Sequence, residues 1–286
     1  MNGSLTTSAR PGAGVWSRIP LIVRAIVVGL LVAEVGITSW GVLLVGTPPL
    51  VALVAMPVLL VLYCLFFSGH LLWPATKQLR RENFRETSLS ATTWKWGLGA
   101  AALFVVALES SIFTLFRLMP YPAEQFVPPT MFEGVPAAGL WAALVVASLV
   151  AGICEETGFR GYIQRPLEAR YGPGVAITIA TLSFAALHLN QPWAITLMPP
   201  ILLASVMLGA LAYASRSLIP GIIGHAVMDV FNFSYWWWQL TGTYDRRTIF
   251  ETGIDLDFVF WAGTLAVSLT LFALCVRRLL TLRRES

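Results

Sequence analysis

Charge is what this chain has least of. Asp, Glu, Lys and Arg together make up 12% of its 286 residues, against about 25% in ordinary soluble domains. Hydrophobic residues make up 57% and the mean hydropathy is +0.73, which excludes a soluble globular domain and leaves a polytopic membrane protein. Lysine is nearly absent, with only Lys77 and Lys95; the basic side chains are otherwise arginines, a bias that points to a GC-rich bacterial genome. They stand in short segments between apolar runs rather than in one block, which argues for topology and against nucleic-acid binding. The three cysteines, Cys64, Cys154 and Cys275, lie far apart in or beside apolar segments. Neither a disulfide framework nor a zinc knuckle has that spacing. No cleavable leader is expected, because the first apolar run is too long and lacks a small-residue cleavage site. Gly-x-Ser-x-Gly, His-Glu-x-x-His and a pair of membrane aspartates are all missing, which removes serine hydrolases, zincin-type proteases and aspartyl-type intramembrane proteases.

What the chain does have is long apolar runs. Eight of them, at about 20–45, 50–73, 94–117, 136–155, 174–189, 194–214, 218–235 and 258–276, approach the roughly 20 residues a helix needs to cross a bilayer. The expected fold is therefore all-α, with about eight transmembrane helices. It divides into a cytoplasmic tail at 1–19, a single helical domain at 20–276 and a basic tail at 277–286. The arginines set the orientation. With the N-terminus inside, segments 1–19, 74–93, about 159–173, 215–217 and 277–286 all carry bases, while the outer loops hold Glu124, Glu133, Asp245, Glu251, Asp255 and Asp257 against Arg246 and Arg247 and are net acidic. Both termini are then cytoplasmic, and the expected location is a bacterial plasma membrane.

Within that frame, residues 151–162 (AGICEETGFRGY) are out of place. Glu155, Glu156 and Arg160 at the end of an apolar run are costly unless they pair or share a wet cavity, so such a cluster is a functional hypothesis by default. Glu156 and Arg160, four residues apart, are placed to pair, and Glu155 points about 100° away. His188 ends the fifth run. From His225 in the seventh, Asp229 and Asn232 follow at i+4 and i+7, on one helix face. A carboxylate and two imidazoles around water can activate that water against a carbonyl, with His225 and Asp229 polarising or holding the oxyanion. The same residue types, Glu155, His188 and His225, also suit an open two-His, one-carboxylate zinc site. Ending the fourth run at Glu155 raises a difficulty. Glu155 falls toward the inner face and His188 toward the outer one, a mismatch that could exceed about 10 Å.

Taken together, the three pieces resemble the motifs of the CPBP family, the type II CAAX prenyl endopeptidases and their bacteriocin-processing or immunity relatives. Glu-Glu-x-x-x-Arg is matched by Glu155, Glu156 and Arg160, Phe-x-x-x-His by Phe184 and His188, and His-x-x-x-Asn/Asp by His225 and Asp229. The resemblance covers residues 136–235. It implies an all-helical intramembrane endopeptidase that cuts a small peptide or the tail of a membrane-tethered protein. Glu155 and His188 would activate water, His225 and Asp229 would stabilise the oxyanion, and Glu156, Arg160, Phe184 and Asn232 would support them. No metal is required in the glutamate-centred form of that mechanism; family members are also described as metalloproteases, and zinc would use Glu155, His188 and His225. Asp229 stands where the prenyl endopeptidases carry Asn, which puts its oxyanion role in question. A non-catalytic scaffold or immunity protein of the same fold is the alternative. A proton-coupled transporter would use Glu34, Glu109 and Glu155, but it predicts inverted repeats that the two halves do not show.

Overall fold

A computed structural model describes residues 15–85, 88–243 and 247–285. Most of the expected N-terminal tail, together with Glu86, Asp245 and Arg246, lies outside them. Among the described residues the secondary structure is helical throughout, without a strand. In chain order the α-helices are α1 (Val15–Arg18), α2 (Leu21–Gly46), α3 (Pro49–Phe67), α4 (Lys77–Phe84), α5 (Ala91–Leu118) and α6 (Ala137–Glu155). They continue with α7 (Arg165–Tyr171), α8 (Pro173–His188), α9 (Met198–Ser215), α10 (Ile219–Asn232), α11 (Ile249–Thr252) and α12 (Leu256–Glu285). Proline and polar caps set the ends. Pro20, Pro48 and Pro136 precede α2, α3 and α6, and the Ser90 hydroxyl caps α5 by accepting from the Thr93 N–H at 3.1 Å.

Among the described residues six helical segments are long and apolar enough to cross a membrane; α8 is a shorter apolar helix of 16 residues, and α10 has 14. The expected fourth and fifth spans differ most from the structure. α6 does not stop at Glu155. A π-helical stretch, Glu156–Gln164, carries it on into α7, giving one 35-residue segment from Ala137 to Tyr171. The polar connection expected at about 159–173 is therefore buried helix as far as Gln164, with only Gly172, at φ 82°, making the turn into α8. The sequence misled because two glycines, an arginine and a glutamine read as loop residues, whereas here they meet partners from other helices.

That correction removes the depth problem. α7 and the π-helix run antiparallel to α8 about Gly172. Glu155 lies 17 positions before that turn and His188 lies 16 after it, so each stands roughly 25 Å from it, at one level.

The interior lies where α5, α8, α9, α10 and the π-helix meet, around Phe104, Phe159, Phe184 and Leu208. α2 and α3 pack on the other side through Met56, Leu60 and Cys154. Their outer faces leave Leu31 62% and Val54 64% exposed, as a lipid-facing surface requires. Small residues let α2 come close to the motif helix. A Cβ on Gly158 would sit 2.5 Å from the Gly29 carbonyl oxygen and 2.8 Å from the Ala33 methyl, and one on Gly36 would sit 2.0 Å from Cys154 Sγ. This is the small-residue packing by which membrane helices approach backbone to backbone. Gly158→Val must push α2 away, because its first obstacle is backbone. We expect a loss of about 1–3 kcal/mol, read as a lower melting temperature in detergent; an unshifted melt would refute the contact. At the far end of α5, buried Arg117 pairs with Asp255 at 2.7 Å and Asp257 at 3.1 Å, fastening the start of α12. The Phe258 N–H and Arg117 hold the Asp255 carboxyl below its usual range.

Candidate active site

The site forms where glycines let α10 lie against the junction of α6 and the π-helix. A Cβ on Gly152 would meet the Ile222 carbonyl at 3.0 Å, and one on Gly221 would meet Glu156 Oε2 at 3.2 Å. With no side chains between them, the two backbones bring His225 directly over the paired glutamates. π-helical turns are rare and concentrate at functional sites. This one buries every residue from Glu156 to Gln164. Its polar groups are met from elsewhere. Arg85, at the end of α4, donates to the Arg160 carbonyl at 3.1 Å and to Glu168 at 2.7 Å, and the Gln164 amide donates to the Gly209 carbonyl at 2.9 Å.

Glu156 and Arg160 form the expected i,i+4 ion pair at 3.0 Å, with both side chains fully buried. Arg160 also donates to the Ser205 hydroxyl of α9 at 3.0 Å and lies over the Phe184 ring at 4.8 Å, a desolvated cation–π contact. Sequence reasoning missed a second bond of Glu156. The same Oε1 accepts from His225 Nδ1 at 2.9 Å, so this carboxylate both neutralises Arg160 and orients the imidazole. The spacing placed Glu156 toward Arg160 but held no sign of which helix would cover it. Ser205 was missed as well; a lone serine in an apolar span gives no signal.

With Nδ1 committed to Glu156, His225 Nε2 turns toward two further carboxylates, Glu155 Oε2 at 3.8 Å and Asp229 Oδ2 at 3.7 Å. Both separations exceed a direct hydrogen bond. Glu155, His225 and Asp229 are thus brought together, with His225 rather than His188 nearest Glu155, and Asp229 sits against the imidazole of its own helix. His188 lines the same cavity as His225, Asp229 and Asn232, a space of about 80 Å³ walled by Phe184, Trp193 and Trp237 among others. His188 Nδ1 lies 2.8 Å from the Phe184 carbonyl. A carbonyl only accepts, so Nδ1 carries a proton, and in the neutral ring Nε2 is the accepting nitrogen. Phe184 is the common wedge, with its ring 4.5 Å from His188, 6.3 Å from His225 and 5.1 Å from Phe159. Asn232 donates its amide to Met228 Sδ at 2.8 Å, a weak acceptor. Its Oδ1 is buried without a hydrogen-bond partner.

Glu109 is buried on α5, between the cavity-lining Leu108 and Ile112 in sequence. It faces Trp236 and feels the charge of Asp229. Glu34, by contrast, is half-buried on α2 and accepts from Thr38 at 3.3 Å. Among the described residues no three His, Cys, Asp or Glu side chains gather into a group able to hold a metal ion. Glu155, His188 and His225 do not fit a zinc set as they stand.

No curated protein and no solved structure matches the chain. A family model does, described as type II CAAX prenyl endopeptidase Rce1-like, over residues 137–231. Every residue of the Glu155, His188 and His225 motifs falls inside that match. Residues 137–231 are thus similar to the Rce1-like type II CAAX prenyl endopeptidases, in agreement with the resemblance that the three motifs carry.

Proposed function

We propose that the protein is a glutamate-type intramembrane endopeptidase acting on a small peptide or the tail of a membrane-tethered protein. The observation that carries the reading is the convergence on His225. Its ring is held by Glu156 at one nitrogen and faces Glu155 and Asp229 at the other, while His188 lines the same cavity. Water bound between Glu155 and His188 Nε2 gives its proton to Glu155 as its oxygen attacks the scissile carbonyl carbon. The tetrahedral oxyanion accepts a hydrogen bond from His225 Nε2–H, and Asp229 keeps that imidazole in register and balances its charge. Collapse breaks the C–N bond, and the proton on Glu155 passes to the leaving amine. Asp229 in place of Asn thus acts through the imidazole rather than on the oxyanion, which an ionised carboxylate would repel.

In the membrane we add α8 and α10 to the six long spans, as the fifth and seventh of eight crossings, with both termini on the arginine-rich cytoplasmic side and the protein in a bacterial plasma membrane. Substrates come from comparing membrane peptidomes of cells with and without the gene. Cleavage of one such peptide in proteoliposomes is expected to fall about 10²-fold in His188→Ala, at an unchanged melting temperature. Full activity in that variant would sink the assignment. The wild-type assay is expected to survive a zinc chelator; loss of activity restored by added zinc would transfer the chemistry to a metal.

A further inference from the structure

On the arginine-rich face, away from the cavity lined by His188 and His225, five guanidinium groups surround one polar pocket of about 380 Å³. Arg81 comes from α4, Arg85 from its C-cap, Arg165 from the start of α7, Arg216 from the turn between α9 and α10, and Arg283 from the last turns of α12. Among the described residues, Glu82 and Glu168 are the carboxylates in the wall. The lining therefore carries three positive charges in excess, drawn together from segments far apart in sequence.

Packing fixes part of this cluster. Arg85 is tied to Glu168 at 2.7 Å and to the carbonyls of Arg160 and Ala212 at 3.1 Å. Arg283 donates to the Tyr213 carbonyl at 2.7 Å and lies 4.2 Å over its ring. Burial pushes the Arg85 guanidinium below its usual range, Glu168 opposes that, and the charges of Arg165 and Arg283 add to it. Arg81 and Arg216 stand exposed at the rim. Converged guanidinium groups repel one another, and an anion relieves that repulsion. Arginine is suited to the task because its planar fork engages phosphate oxygens in pairs.

A second pocket, of about 640 Å³, adjoins the first and shares Arg216 and Arg283. Its wall adds the hydroxyls of Ser88, Ser90 and Thr93, the apolar side chains of Leu89, Leu279 and Leu282, and the Glu285 carboxylate, which leaves the two linings together with two positive charges in excess. The two linings together offer guanidinium, hydroxyl and hydrocarbon groups, the three kinds of surface that suit the phosphate, glycerol and acyl chain of a phospholipid. Basic pockets between membrane helices on the cytoplasmic side suit acidic headgroups.

We propose that these two pockets form a binding site for a phosphate anion, carried in the membrane by an acidic phospholipid. Its phosphate lies among Arg81, Arg165 and Arg216, and its acyl chains run along the half-buried Leu89 and Leu282. The site stands directly behind the catalytic motif, because Arg85 in its wall holds the Arg160 carbonyl.

The test is native mass spectrometry of the full chain released from nanodiscs of equal phosphatidylglycerol and phosphatidylcholine. Wild type is expected to retain phosphatidylglycerol over phosphatidylcholine. The Arg81→Gln/Arg216→Gln pair is expected to lose that preference by about tenfold or more. Arg278→Gln, an exposed change on α12 that does not line either pocket, is expected to keep it, which separates a site from general surface charge. Arg81→Lys/Arg216→Lys retains charge and is expected to bind measurably, so a glutamine pair that fails to fold still leaves a readable comparison. Inorganic phosphate is titrated in a separate arm. If it alone raises the melting temperature and displaces the lipid, the anion site stands and its source is soluble. Equal retention of the two lipids by wild type without a phosphate-dependent melt, or an unchanged preference in the folded glutamine pair, overturns the proposal.

Discussion

Glu155→Gln is expected to lower peptide cleavage by about 10²–10⁴-fold, the range lost when a positioned general base is removed. Glutamine keeps the volume of the side chain and one accepting oxygen, but it cannot take a proton from water. The fold has little at stake at this position. Glu155 is buried but for about 12% of its side chain, and its nearest partner is His225 Nε2 at 3.8 Å, beyond hydrogen-bond length. Stability is therefore expected to change by no more than about 1 kcal/mol, so a collapse in rate at a constant melting temperature isolates the chemistry. Glu155→Asp keeps the base but withdraws it from the water, and is expected to fall between the two. Rates are measured in proteoliposomes, on the peptide for which His188→Ala is tested. Retention of more than a tenth of wild-type activity by Glu155→Gln would remove Glu155 from the mechanism.

The contrast between Glu155 and Glu156 shows what the sequence could and could not disclose. Adjacent carboxylates on a helix point in different directions, and an arginine four residues on can reach only one of them. That much is local, and the Glu156–Arg160 pair forms as the spacing requires. The i,i+4 placement of His225 and Asp229 is equally local, and so are the apolar runs. The bond from Glu156 to His225 is not local. It depends on Gly152 and Gly221 allowing two backbones to meet across some 70 positions of chain. The same holds for the π-helix. Thr157, Gly158, Arg160, Gly161 and Gln164 resemble the start of a loop, and only Arg85, Ser205 and Gly209, each more than 40 residues away, make their burial affordable. Misreading that segment as a loop produced the apparent mismatch in depth between Glu155 and His188. The family match covers the same stretch in which local pattern was most informative, and the supporting partners at Arg85 and on α5 lie outside it.

Arg160→Leu is expected to destabilise the protein by about 3–5 kcal/mol, the range for breaking a buried ion pair from one side. Arg160 is fully buried, paired with Glu156, bonded to Ser205 and stacked over Phe184. Leucine fills much of the space but leaves Glu156 charged in an apolar interior. Its Oε2 already has no hydrogen-bond partner, so His225 alone would remain to answer that charge. Thermal melts in detergent measure the loss, and an unshifted melt would show that the pair contributes nothing. Adding Glu156→Gln to Arg160→Leu removes the stranded charge. The double variant is expected to be more stable than the sum of the single losses implies, the non-additivity that marks a coupled pair. Activity should part company with stability at this point. Glutamine at 156 cannot hold the imidazole as a carboxylate does, so the double variant should regain stability without regaining rate. If both return together, Glu156 serves the fold alone, and the orienting role assigned to it through His225 Nδ1 is wrong.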